Sequence, residues 1–147
     1  VCREGETTMV SILDEIMEKI KNSTFTVPFK DIREPYSTKQ PVYPMITVEE
    51  ITNTPQQQIN GKIIRTNLHY RFEIYGRDIS HEGQLINKRK LVTTLGNELD
   101  TIMRETYGMK MIGTYQILPY ASDNSILRYI VTYAGIIDNE TMIIYQL

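Results

Sequence analysis

The stretch IIRTNLHYRFEIYGRD, Ile63 to Asp78, alternates through its middle. Ile64, Thr66, Leu68, Tyr70, Phe72 and Ile74 share one parity, while Arg65, Asn67, His69, Arg71, Glu73 and Tyr75 share the other. In extended chain, residues two apart stand on the same face, so this is a strand with one apolar face to bury. The opposite face carries five polar or charged residues and a tyrosine, and its use is the functional question. It could be a catalytic surface, a nucleic-acid platform, a contact with another subunit, or a side that meets water.

The elements around this strand predict its setting. Upstream, Met45 to Thr52 reads as a second strand, and Asn53 to Gly61 (NTPQQQING) ends in the turn pair Asn60-Gly61, so the two strands form a hairpin with a protruding glutamine-rich loop. Pro35, Pro41 and Pro44 exclude helix and any central strand before it and make that segment an extended linker. Phe25, Val27 and Phe29 alternate briefly, as in a short strand. Met9, Ile12, Leu13, Ile16, Met17 and Ile20 recur at steps of three and four, which predicts an amphipathic helix of about 14 residues capped by Thr8 or Ser11. Val1 to Thr8 is polar, contains the chain's only cysteine, Cys2, and reads as a disordered leader to one domain spanning 9–147.

Downstream, Leu85, Val92, Leu95, Leu99, Ile102 and Met103 follow a helical stripe that ends at Gly108. Lys88, Arg89 and Lys90 suit a helix N-terminus badly, so the helix is expected to start near Ser80 with Glu82 in its first turn. Three more strands follow, Met111 to Leu118, Ile126 to Ile137 and Met142 to Tyr145, separated by turn-forming residues. The order is α-β-β-β-α-β-β-β. Short connections favour antiparallel pairing, and two single-striped helices cover one sheet face, which gives an α+β class.

Composition narrows the functions. Sixteen Lys and Arg against eighteen Asp and Glu leave a net charge of −2, so no global field holds the chain on nucleic acid or an anionic membrane. No apolar run reaches the roughly 20 residues of a membrane span, and a soluble protein is expected. Asp78, His81 and Glu82 could serve as metal ligands, and Glu73 with His69 or Arg71 as an acid–base pair. A solvated turn and side-by-side surface charges account for both more simply. Tyr129 and Tyr133 share a parity with Val131, but without an RNA-recognition signature they read as the aromatic half of a core. No enzyme, cofactor or metal site is expected.

One resemblance covers the domain from Met9 to Leu147. A first amphipathic helix, the strands YPMITVEEI and RTNLHYRFEIYGRD, a helix of the kind LVTTLGNELDTIMRETYG and a closing RYIVTYAGIIDNETMIIY hairpin occur in this order. Together with Arg128-Tyr129, Tyr133, Gly135 and Asp138, this resembles the tail terminator, or tail completion, proteins of long-tailed bacteriophages. The resemblance implies a structural virion protein of the tail and neck, assembled in the host cytoplasm as a hexameric ring. It would cap the head-proximal end of the tail tube, stop tube growth and dock the head–tail connector protein. DNA would pass through the lumen without sequence-specific binding, and no membrane is involved. The family supplies no catalytic residues. Arg65, His69, Arg71 and Glu73 on the polar parity, with Gln56, Gln57 and Gln58 in the loop, are the candidate subunit or partner interface. Another head–tail joining protein, or an unrelated α+β domain binding a ligand or RNA, are the alternatives.

Overall fold

The computed structural model describes residues 10–145; the proposed leader and the Thr8 cap lie outside these residues. The chain is α+β, with two helices and a mixed, mostly antiparallel sheet. Three long strands form the sheet's centre: β2 (Met45–Ile59), β3 (Lys62–Gly76) and β8 (Asp123–Asp138). β3 lies between the other two and is antiparallel to both. A short strand, β1 (Asp31–Arg33), adds parallel to the start of β2. β6 (Lys110–Met111), β7 (Gln116–Tyr120) and β9 (Ile144–Tyr145) line the far side of β8.

The alternation in β3 sorts the sheet's two faces. Thr66, Leu68, Tyr70, Phe72 and Ile74 are buried beneath α1 (Leu13–Lys21) and α2 (Lys88–Thr101). Ile16 and Ile20 of the first helix and Leu91, Val92, Leu95 and Leu99 of the second join them in one core with Ile46, Val48, Val131 and Tyr133. Near the hairpin end the parity slips, so that Ile63 is buried and Ile64 only half-buried, next to an irregularity in the β2 pairing.

Several local expectations are corrected. Asn53 to Gly61 is not a loop: β2 continues to Ile59, and only Asn60 and Gly61 turn, both with positive φ (52° and 77°) as a tight hairpin needs. Pro55 is tolerated because this part of β2 is an edge, where a missing N–H breaks no ladder. The first helix is shorter than expected, beginning at Leu13. Ser11 does not close a capping box; its hydroxyl donates to Glu50 (2.8 Å) and accepts a weak bond from the Leu13 N–H. Phe25, Val27 and Phe29 form no strand; Phe25 and Val27 plug the core from an irregular segment.

The second helix starts at Lys88, not near Ser80. Residues 79–86 form a hairpin, β4 (Ile79–His81) and β5 (Gln84–Ile86), turned by Glu82 and Gly83 at positive φ. The three cations at the helix start are offset locally. The Asn87 side chain accepts from the Lys90 N–H (2.9 Å), and the Asp78 carboxylate accepts from the Lys88 N–H (2.7 Å), which brings negative charge to the positive end of the helix. The helix then passes through a π-helical turn, Ile102–Thr106, before Gly108. The expected Met111–Leu118 strand is split into β6 and β7 by Gly113.

Tyrosine hydroxyls tie the helical layer to the sheet. The Ile12 N–H donates to the Tyr70 hydroxyl (3.2 Å), which donates to Glu50 (2.8 Å). Tyr133 donates to Asp100 on α2 (2.8 Å), and Tyr107 donates to the Glu15 carbonyl of α1 (3.3 Å). Each ring fills the core while its polar end meets a partner, as a buried tyrosine requires. Burial holds these hydroxyls, and that of Tyr129, protonated above the usual tyrosine range: the pKa values of Tyr107 and Tyr129 are pushed up to about 12, and those of Tyr70 and Tyr133 higher still, the last reinforced by its bond to Asp100. Helix α2 crosses Tyr129 at Gly96, where an added Cβ would lie 2.4 Å from the ring's Cζ.

Two outcomes follow for stability. Gly96→Ala, which in an exposed helix would gain about 1 kcal/mol, is here expected to lose about 1–3 kcal/mol through overpacking, as read by chemical denaturation. The raised tyrosines hold protons that the unfolded chain releases near pH 10. Stability is therefore expected to be independent of their ionisation below pH 10 and to fall between pH 10 and about 12. Tyr129→Phe should make that fall less steep; an unchanged slope would show that Tyr129 does not contribute.

Candidate interaction surface

Cross-strand pairing on β3 builds the sheet face that the helices leave open. On the β2 side, Thr47 stands opposite Glu73, Glu49 opposite Arg71, Thr52 opposite His69 and Gln57 opposite Arg65. On the β8 side the same four β3 residues face Ile130, Thr132, Ala134 and Asp138. Directly paired residues share a face, so Arg65, His69, Arg71 and Glu73 come together as expected, with Gln57 beside them. Gln56 lies at a bulge and Gln58 opposite Ile63, both exposed on the projecting part of the hairpin. The three glutamines are therefore strand residues and not a loop tip.

The face is less open to water than alternation alone implies. Of the odd-numbered residues from Arg65 to Tyr75, only Arg71 is exposed; the rest are half-buried by their neighbours. Its charges are paired inside the subunit. Arg71 reaches Glu49 at 2.8 Å, and Glu49 also accepts from the Tyr36 hydroxyl at 2.6 Å. Arg128 reaches Glu73 at 3.1 Å, and Tyr75 donates to the same carboxylate at 3.4 Å. Arg65 lies over the ring of Tyr145, 5.2 Å from its centroid, a cation–π distance. The Nε atoms of Arg65 and Arg128 are buried without a hydrogen-bond partner among the described residues.

One end of this face is aromatic. Tyr75 packs edge-on against Tyr120 (5.3 Å between centroids) and lies 6.5 Å from Tyr43, over which Arg77 is placed at 4.7 Å. Burial raises the pKa of Tyr75, with Glu73 adding to the effect, and burial likewise raises that of Tyr43. Reasoning from the sequence missed Glu49 and Arg128 as partners of Arg71 and Glu73. The parity of VEEI and of RYIVTY, read across a β2-β3-β8 order, carries that signal.

The candidate metal trio is placed otherwise. Asp78 caps α2, His81 and Glu82 sit in the β4–β5 hairpin with 3.8 Å between His81 Nε2 and Glu82 Oε1, and Glu82 points to solvent. Among the described residues, no group of three or more His, Cys, Asp or Glu side chains could hold a metal ion, and no helix is long and apolar enough to cross a membrane. The face thus presents a ladder of both signs of charge in which Glu49 and Glu73 are paired within the subunit, with tyrosines at one end and amides at the other. No protein-family model matches the chain, and no curated protein sequence does.

The Glu49–Arg71 pair is partly exposed, so it contributes little to folding. Arg71→Glu, which sets two carboxylates face to face, is expected to cost about 1 kcal/mol. The swapped double variant Glu49→Arg/Arg71→Glu should recover most of it in thermal melts. Absence of recovery would mean that the two side chains do not interact.

Proposed function

We propose that this chain is a structural virion protein of the tail terminator kind, acting as a ring of copies at the head-proximal end of a phage tail tube. The single observation that supports it most is the open sheet face. It is half-buried, bears both signs of charge and pairs its Glu49 and Glu73 carboxylates internally. Such a face suits contact with other protein surfaces at modest desolvation cost, since its ions are already paired. It also suits a lumen for DNA: a strongly basic wall would retain phosphates, whereas paired charges present little field at a distance. In this reading the helices face away from the axis, and the glutamine-rich end of the β2–β3 hairpin reaches toward the tube or the connector.

Removing the coding region from its phage is the decisive test. Tails of uncontrolled length are expected when the gene is lost, with normal length restored by supplying the protein. Tails of normal length that fail to join heads would assign the chain instead to another step of head–tail joining.

A further inference from the structure

Among the described residues, both lateral edges of the sheet have long stretches that lack charge and are interrupted only by proline and bulges. Beyond Thr47, β2 has no strand on its outer side among the described residues, and β7 pairs only with β8. Natural sheets blunt such edges with charged side chains, lysine above all, as well as with proline and bulges. Here the charges are missing: the two longest uncharged runs in the whole sequence are residues 51–61 and 111–122, which make the outer half of β2 and the β6–β7 edge. Exposed apolar side chains gather in the same places. Ile51 and Ile59 (52% exposed) lie on β2; Ile112, Tyr115 and Leu118 (41% exposed) lie on the opposite edge, with Met142 and Ile143 beside β9 on that side.

We infer that copies of this chain join head to tail, the free edge of β2 in one copy adding to β7 of the next. The strand directions permit it. β2 runs parallel to β8 and β7 antiparallel to β8, so β7 of a neighbour in the same orientation is antiparallel to β2. Because residues 116–118 stand level with residues 45–47, where β1 already pairs, that neighbour is displaced along the strands toward the hairpin end to reach the free part of β2. No like charges meet across the two runs, and the exposed isoleucines of one edge face Tyr115 and Leu118 of the other. Pro55, Pro119 and the irregularities around Ile51 and Gln56 keep the ladder short. The contact therefore rests on a few main-chain bonds plus apolar packing, and not on open-ended strand stacking. Because the two surfaces differ, the contact is heterologous, and its repetition closes into a ring where the rotation allows. This deepens the ring reading and rests on it only for closure.

The test uses the full chain with Cys2 replaced by Ser, carrying Gln58→Cys on β2, Gln116→Cys on β7, or both. After treatment with a short bismaleimide, the double variant is expected to give a ladder of covalent multimers, while each single variant stays monomeric on a denaturing gel. Efficient dimers from either single variant would establish a symmetric contact instead and overturn the proposal. As a second arm, Ile59→Lys and Leu118→Lys should each melt like the parent yet shift light scattering toward monomer, weakening association at least tenfold. An oligomer that survives both lysines and gives no ladder overturns the edge contact while leaving the ring reading intact. A parent that is monomeric at every concentration overturns the edge contact as well, and tail length in the gene-loss experiment then judges the terminator reading separately.

Discussion

Strand β3 is hydrogen-bonded on both sides for nearly its whole length, and everything else in the fold is arranged around its register. Its pairing with β8 runs from Arg65–Asp138 to Gly76–Leu127 without a shift, whereas the β2 side is interrupted three times. The rigid seam is therefore β3–β8, and β2 accommodates to it through bulges. A one-residue slip along that seam would send Phe72 and Tyr70 to the open face and Arg71 into the core. Every interaction that depends on which face a residue occupies inherits this constraint, including the Arg128–Glu73 pair and the Tyr133–Asp100 bond.

The two faces then solve different problems. On the covered face, aromatic bulk fills the space while hydroxyls fix the helices in place, so the layer is specified by direction as well as by area. Apolar packing alone would tolerate a helix rotated or slid by part of a turn; a phenol that must reach Asp100 or the Ile12 N–H does not. On the uncovered face, charges find partners two strands away at most. Ion pairing of this exposed kind adds little stability, but it leaves a surface without a strong net field, whose neighbours are chosen by shape.

The central strand, its two faces and the covering by two amphipathic helices were legible because period two and period 3.6 differ sharply over long segments. Each misreading has a local cause. NTPQQQING has the composition of a loop, but an edge strand asks less of its residues than a central one, and Pro55 costs no ladder bond there. The start of α2 is not legible from the helix dipole alone, because the cap that offsets its three cations comes partly from Asp78, ten residues before Lys88 and on the far side of a hairpin. Phe25 and Val27 alternate in sequence yet simply plug a gap. The candidate surface was legible as a face, since Arg65, His69, Arg71 and Glu73 do share one. Its internal pairing was not, because Glu49 and Arg128 become neighbours only once the strand order is known.

The β3–β8 seam also bears on how the chain folds as it is made. The β2–β3 hairpin closes through a two-residue turn, so it can form within microseconds of leaving the ribosome. Its partner β8 begins about fifty residues later, several seconds away at about 5–20 residues per second. During that interval the inner edge of β3 has no strand to pair with. Helix α2 is synthesised in the gap and buries Leu91, Leu95 and Leu99 against the same face, so it is placed to shelter the hairpin's apolar surface before the sheet is complete. Chain order thus lets the helix cover the hairpin's apolar face before β8 arrives to pair with the edge of β3.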